Sequence, residues 1–142
     1  MPIRTADARW EGTFTEGSGT IRTGKGGLAG NYSAKSRFEE GEGTNPEELI
    51  AAAHAGCFSM AFSKALSDAG YPPTSVETTA SVRLEKTDAG MTVTRIDLDS
   101  RGEVPGIDEA EFAKLAEGAK ENCPISRLLS PGAAIGLTAT LA

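Results

Sequence analysis

Apolar and polar residues alternate along this chain with a period of two in some stretches and three to four in others, and the order of these stretches limits the fold. Ala8 to Thr15, Gly19 to Thr23 and Leu28 to Phe38 read as three strands, punctuated by Gly17, Gly24, Gly26 and Gly27. The acidic loop Glu39 to Thr44 leads into Asn45-Pro46-Glu47-Glu48, where a capping side chain, a proline at the first helical position and early glutamates predict a helix start. Gly70 and Pro72-Pro73 end that helix. Val76, Ala80, Val82 and Leu84 then alternate with Glu77, Thr79, Ser81 and Arg83, as in a strand with one face buried. Asp88-Ala89-Gly90 turns the chain back into Met91 to Ser100, and a phase shift between Val93 and Ile96 predicts a bulge near Arg95. Asp108 to Asn122 places Phe112, Leu115 and Ala119 at helical spacing, Pro124 opens a short turn through Leu129, and Ile135 to Leu141 alternates as a last strand.

The order β-β-β-α-β-β-α-β predicts an α+β domain with mainly antiparallel pairing rather than a doubly wound sheet. With 142 residues, 39% hydrophobic and 24% charged, the chain has room for a single domain, residues 1–142, around one core. Met1 to Trp10 carries Arg4, Asp7 and Arg9 and no apolar stretch, so a signal peptide is not expected and the cytoplasm is the expected location. The uncharged run from Leu49 to Ser63 falls short of the ~20 apolar residues of a membrane span and reads as a buried core helix. A net charge of −6 argues against nucleic acid or an anionic membrane as partner. A small, neutral or apolar partner suits it better.

The candidate chemistry lies in the only two cysteines, Cys57 and Cys123, which stand about half the chain apart. In a reducing cytosol a structural bridge is not expected to persist, so thiol redox chemistry is the leading expectation. Cys123, directly before Pro124, occupies a cap position that favours a thiolate, whereas Cys57 lies about three turns into its helix, where burial raises the thiol pKa. Cys57 therefore needs a cation from elsewhere. Arg37 is the favoured source, with Glu47 to hold it. On one straight helix the ten positions from Glu47 to Cys57 span ~15 Å and do not share a face. If both serve one site, a second subunit supplies the glutamate or the arginine, which predicts a homodimer.

Each of these residues also has an ordinary structural reading. Cys57 fits a buried core thiol, and Arg37 and Glu47 fit a solvated side chain and a helix cap. His54, one helical turn before Cys57, is close enough to act as its base, but a core histidine donating to a carbonyl is the simpler expectation. One histidine with two cysteines falls short of a zinc ligand set, so no metal is expected. Gly24-Lys25-Gly26-Gly27-Leu28-Ala29 loosely matches a dinucleotide loop but precedes a predicted strand and reads as a hairpin turn. No Gly-x-Ser-x-Gly elbow and no Cys-x-x-Cys occur.

Several longer segments carry a family likeness: Gly43-Thr44-Asn45-Pro46-Glu47-Glu48-Leu49-Ile50, Ala52-Ala53-His54-Ala55-Gly56-Cys57-Phe58-Ser59-Met60-Ala61 and Asn122-Cys123-Pro124-Ile125-Ser126. With Trp10-Glu11-Gly12, Ser36-Arg37-Phe38-Glu39 and Val104-Pro105-Gly106-Ile107-Asp108, the chain resembles the OsmC/Ohr family of osmotically inducible and organic hydroperoxide resistance proteins along nearly its whole length, and its OsmC branch in particular. The resemblance implies antiparallel sheets packed on a central buried helix in an intertwined homodimer. It also implies a two-cysteine peroxidase acting on organic hydroperoxides, with Cys57 peroxidatic, Cys123 resolving through a Cys57–Cys123 disulfide, Arg37 activating and Glu47 supporting it. No bound cofactor is implied, only an external dithiol reductant such as a lipoyl protein. Phe38, Phe58, Met60 and Phe62 are candidates to line an apolar substrate pocket, although core packing explains them equally well. The alternatives are a non-enzymatic redox sensor and a stress protein binding a small apolar ligand.

Overall fold

The computed structural model describes residues 1–142 and divides into two compact units, Met1–Leu49 and Ile50–Ala142. In the first unit, β1 (Ala6–Glu11), β2 (Ser18–Thr23) and β3 (Ala29–Tyr32) form an antiparallel sheet in that order. β1 ends at Glu11 rather than at Thr15 because Gly12 adopts φ 91°, which leaves the strand region. A Cβ on Gly19 would sit 2.4 Å from the Tyr32 ring, so glycine in β2 is what admits the packed pair Trp10 and Tyr32, with centroids 5.3 Å apart.

The predicted strand from Leu28 to Phe38 stops at Tyr32, and Ala34–Phe38 forms a short helix, α1. The cause is a reciprocal cap. The Ser36 amide donates to Ser33 Oγ at 3.1 Å and the Ser33 amide donates to Ser36 Oγ at 2.8 Å. Ser36 Oγ also donates to the Thr44 carbonyl at 2.7 Å, and Asn45 Nδ2 donates to the Ser36 carbonyl at 3.0 Å. Arg37 is therefore on a helical turn, not at a strand end.

The helix α2 (Pro46–Asp68) starts at the predicted Asn45-Pro46 signal, with Asn45 Oδ1 accepting from the Glu48 amide at 2.8 Å. It belongs mostly to the second unit, together with β4 (Ser75–Thr87), β5 (Gly90–Glu103), α3 (Glu109–Asn122), α4 (Pro124–Leu129) and β6 (Ala134–Leu141). β4 and β5 form an antiparallel hairpin whose register shifts where Arg83 faces Arg95 and Leu84 faces Val93. Thr94 is thus the extra residue, within the stretch where the sequence phase slipped. β6 runs parallel to β5, the one parallel pair of strands in an otherwise antiparallel α+β fold, and α3 and α4 make the crossover between them.

The second unit has a continuous apolar core. His54, Phe58, Phe62 and Leu66 recur every four residues along α2 and are buried. Phe62 packs on Phe58 at 5.6 Å and on Phe112 of α3 at 5.1 Å, and Leu98 of β5, Ala116 and Ala119 complete the contact. Gly102 of β5 lets α3 approach, since a Cβ there would lie 2.7 Å from the Phe112 ring. The buried face of α2 is only this stripe: Met60 is 76% exposed, and the helix is long and apolar enough to cross a membrane by length and composition, although no membrane is needed to explain its core-facing side. Phe62→Ala is expected to destabilise the fold by about 3–5 kcal/mol, read from the midpoint of urea unfolding. An unchanged midpoint would contradict this account of the core.

Candidate active site

Cys57 precedes Phe58 of the buried stripe and so lies at its margin, partly exposed. Cys123 ends α3 and caps α4. Pro124 cannot continue the first helix, and the backbone turns at Cys123 with φ −62° and ψ 120°. Packing of α3 on α2 through Phe112 and Phe62 then brings the two free sulfurs to 3.1 Å, about 1 Å from bonding distance.

Access differs between them. Cys57 borders a groove of about 780 Å³ between α2 and α3, walled by Met60, Ala61, Leu115, Ala119 and Pro124, with Lys64, Asp68 and Lys114 also on its border. Cys123 is 0% exposed and does not border the groove. A solute in the groove meets Cys57 first.

The electrostatics favour the opposite sulfur. Burial pushes the Cys57 thiol up, its hydrogen bond with Cys123 pushes it further, and the Ile125 amide offsets only part of this. At Cys123 burial also raises the thiol, but the hydrogen bond with Cys57, the amide and hydroxyl of Ser126 and the amide of Ile125 outweigh it, and the thiol is lowered from its ordinary value. Cys123 Sγ makes no cap hydrogen bond of ordinary geometry, so these groups act on it as nearby dipoles. No carboxylate or cationic side chain contributes at either sulfur.

Arg37 and Glu47 meet in the first unit. Arg37 Nη2 donates to Glu47 Oε1 at 2.7 Å, and Arg37 Nε lies 3.1 and 3.2 Å from the two carboxylate oxygens. The carboxylate side chain is 12% exposed and the arginine 36%, so the pair is fixed with a guanidinium edge still open. The guanidinium also covers the Phe38 ring at 5.4 Å and borders a cavity of about 430 Å³ lined by Trp10, Phe14 and Tyr32.

The four apolar candidates separate. Met60 borders the Cys57 groove; Phe58 and Phe62 are 0% exposed within the core; Phe38 is 45% exposed and packs against Phe14 at 6.1 Å. His54 is wholly buried and its Nε2 meets Ser126 Oγ at 2.7 Å, where the sequence reading expected a backbone carbonyl. No group of three or more His, Cys, Asp or Glu side chains converges to hold a metal ion. Sequence reading gave no place at the site to Ser126, and did not anticipate that Leu115 and Pro124 wall the groove.

The family model described as OsmC-like protein matches residues 39–138. Over 127 residues the chain is 50% identical to peroxiredoxin OsmC of Escherichia coli, covering 89% of each protein. It is 36% identical over 103 residues to an organic hydroperoxide resistance protein of Xanthomonas axonopodis pv. citri, covering 72% of this chain and 69% of that one. The crystal structure of the organic hydroperoxide resistance protein OhrB of Bacillus subtilis shares the fold, with a TM-score of 0.76 at 24% identity over 96% of this chain and 98% of that one.

Proposed function

The chain belongs to the OsmC-like family, and from that premise we propose that it is a thiol-dependent peroxidase that reduces organic hydroperoxides in preference to hydrogen peroxide. The observation that carries this reading is the pair of reduced sulfurs 3.1 Å apart, of which only Cys57 borders an apolar groove. The names of the relatives, peroxiredoxin and organic hydroperoxide resistance protein, support it.

The Cys57 thiolate attacks the distal peroxide oxygen, the O–O bond breaks, and an alcohol leaves behind a sulfenic acid. Cys123 then displaces the hydroxyl and closes a disulfide, which a dithiol from outside the protein must reopen. The arrangement of apolar side chains at Cys57 suits an alkyl group better than a second hydroxyl.

Within the second unit Cys57 lacks what its thiolate needs. Burial and Cys123 raise its thiol and no cation offsets them. Arg37, held ready by Glu47, is a cation with an open edge, and along α2 the span from Glu47 to Cys57 is about 15 Å. A homodimer in which the Arg37–Glu47 pair of one subunit serves Cys57 of the other resolves both problems. The exposed apolar side of α2, with Met60 at 76%, supports burial in such an assembly.

Steady-state consumption of cumene hydroperoxide with a dithiol in excess tests the enzymatic reading. Many turnovers per subunit are expected, slower with hydrogen peroxide. A single stoichiometric oxidation without turnover would instead favour a redox sensor.

A further inference from the structure

A disulfide between Cys57 and Cys123 has two sulfurs that a reducing thiol could attack, and the fold leaves only one of them open. The incoming sulfur must approach in line with the bond that breaks, from the far side of the sulfur it attacks. Cys123 offers no such approach: it is 0% exposed, packs in the core with Phe58, Phe62 and Ala119, and does not border the groove between α2 and α3. Cys57 does border it. Bringing the sulfurs from 3.1 Å to bonding distance is a shift of about 1 Å, which leaves this difference in access in place. A second subunit lying over α2 would uncover nothing at Cys123.

The groove wall also carries a glycine for which the fold gives no structural reason. Gly118 lies in the interior of α3, where glycine is less favourable than alanine. Its φ is not positive, and a Cβ added there would meet nothing within 4 Å. Gly102 is the opposite case, since packing against the Phe112 ring excludes a side chain. What Gly118 does border is the groove, beside Leu115 and Ala119 of its own helix and across from Ala61 of α2. A larger side chain at position 118 would narrow that groove without first displacing a neighbour.

We propose that the groove serves reduction as well as oxidation: a dithiol enters by the route of the peroxide and attacks Cys57 Sγ, Cys123 is the leaving sulfur, and Gly118 is a specificity-determining residue whose missing side chain keeps the route open. The inference rests on the peroxidase reading. One thiolate of the dithiol bonds to Cys57 Sγ as the Cys57–Cys123 bond breaks, and Cys123 leaves as a thiolate that takes a proton from solvent. The second thiol of the dithiol, its proton given to solvent, attacks the dithiol sulfur of the mixed disulfide, closes a ring and expels Cys57. Two electrons pass to the protein; the dithiol is oxidised to a cyclic disulfide and both cysteines are reduced. A monothiol stops at the mixed disulfide, where Cys123, still beside Cys57, returns and expels it.

Protein oxidised with diamide, which forms the disulfide without peroxide, is mixed with 2-mercaptoethanol, quenched at intervals in acid with urea and N-ethylmaleimide, and mapped by peptide mass spectrometry. Mercaptoethanol is expected on Cys57 and N-ethylmaleimide on Cys123, in roughly tenfold or greater excess over the reverse pair. The reverse pair, or both pairs in equal amounts, overturns the inference. Gly118→Leu, oxidised in the same way, is expected to be reduced by dithiothreitol roughly tenfold or more slowly, and its ratio of rates with cumene hydroperoxide and hydrogen peroxide to fall by a similar factor. Gly118→Ala is expected to raise the urea midpoint, as at any helix position that does not require glycine. Unslowed reduction of folded Gly118→Leu, or a lowered midpoint in Gly118→Ala, overturns the part given to Gly118. Absence of turnover with any hydroperoxide would end the peroxidase reading, whereas the diamide experiment would still decide which sulfur the thiol attacks.

Discussion

Cys57→Ser is expected to reduce hydroperoxide turnover to background, a loss of roughly 10³-fold or more, while Cys123→Ser consumes one equivalent and then overoxidises. The asymmetry is the informative part, because access and electrostatics disagree about which sulfur reacts first. Cys123 is the sulfur with the lowered thiol, yet it is 0% exposed; Cys57 has the raised thiol and borders the groove. Access decides, since a buried thiolate that no peroxide reaches has no reaction to perform, whereas a raised thiol can be corrected by a cation. Peroxide consumption and intact-protein mass spectra of both variants check this. Full turnover by Cys57→Ser with a dead Cys123→Ser would reverse the roles.

Arg37→Met is expected to slow sulfenic acid formation at neutral pH by roughly 10²–10³-fold, the usual effect of removing a group that stabilises charge at the reacting atoms. The pH dependence carries the mechanism. Without the guanidinium, Cys57 keeps the raised thiol that burial and Cys123 impose, so the reactive thiolate fraction is small at neutral pH and grows as pH rises. The variant should therefore recover part of its rate in alkaline solution, with the inflection displaced upward from that of the unaltered protein. Glu47→Gln should move in the same direction by less, because it loosens the arginine without removing it. A rate loss with no displacement of the pH profile would show that Arg37 acts on the peroxide alone, and no loss would remove it from the site.

The elements that sequence reading located well are those whose signals are local. Asn45-Pro46 starts α2, Gly70 and Pro72 follow its end at Asp68, and the slipped phase between Val93 and Ile96 contains the extra residue Thr94. Arg37 was misplaced onto a strand because the glycine-rich alternation through Tyr32 outweighed a two-serine cap, and only the bonds between Ser33 and Ser36 disclose the helix. The α2 stretch read as a buried core helix, without a sided face, because alanine and glycine fill many of the positions between His54, Phe58, Phe62 and Leu66; small residues do not reveal which side faces solvent. The approach of Cys57 to Cys123 depends on α3 seating on α2 through Phe112 and Phe62, a contact between distant segments that no spacing encodes. For the same reason the Ser126 partner of His54 could not be read from the neighbourhood of either residue.

In the proposed reaction the two sulfurs act as one redox unit opened by peroxide at Cys57. Its most direct test is to treat fully reduced protein with one equivalent of cumene hydroperoxide per subunit, quench with an alkylating agent and map the cysteines by peptide mass spectrometry. The account predicts loss of both free thiols and a peptide pair joined within one chain through Cys57 and Cys123. Two alkylated cysteines and unconsumed peroxide would contradict it.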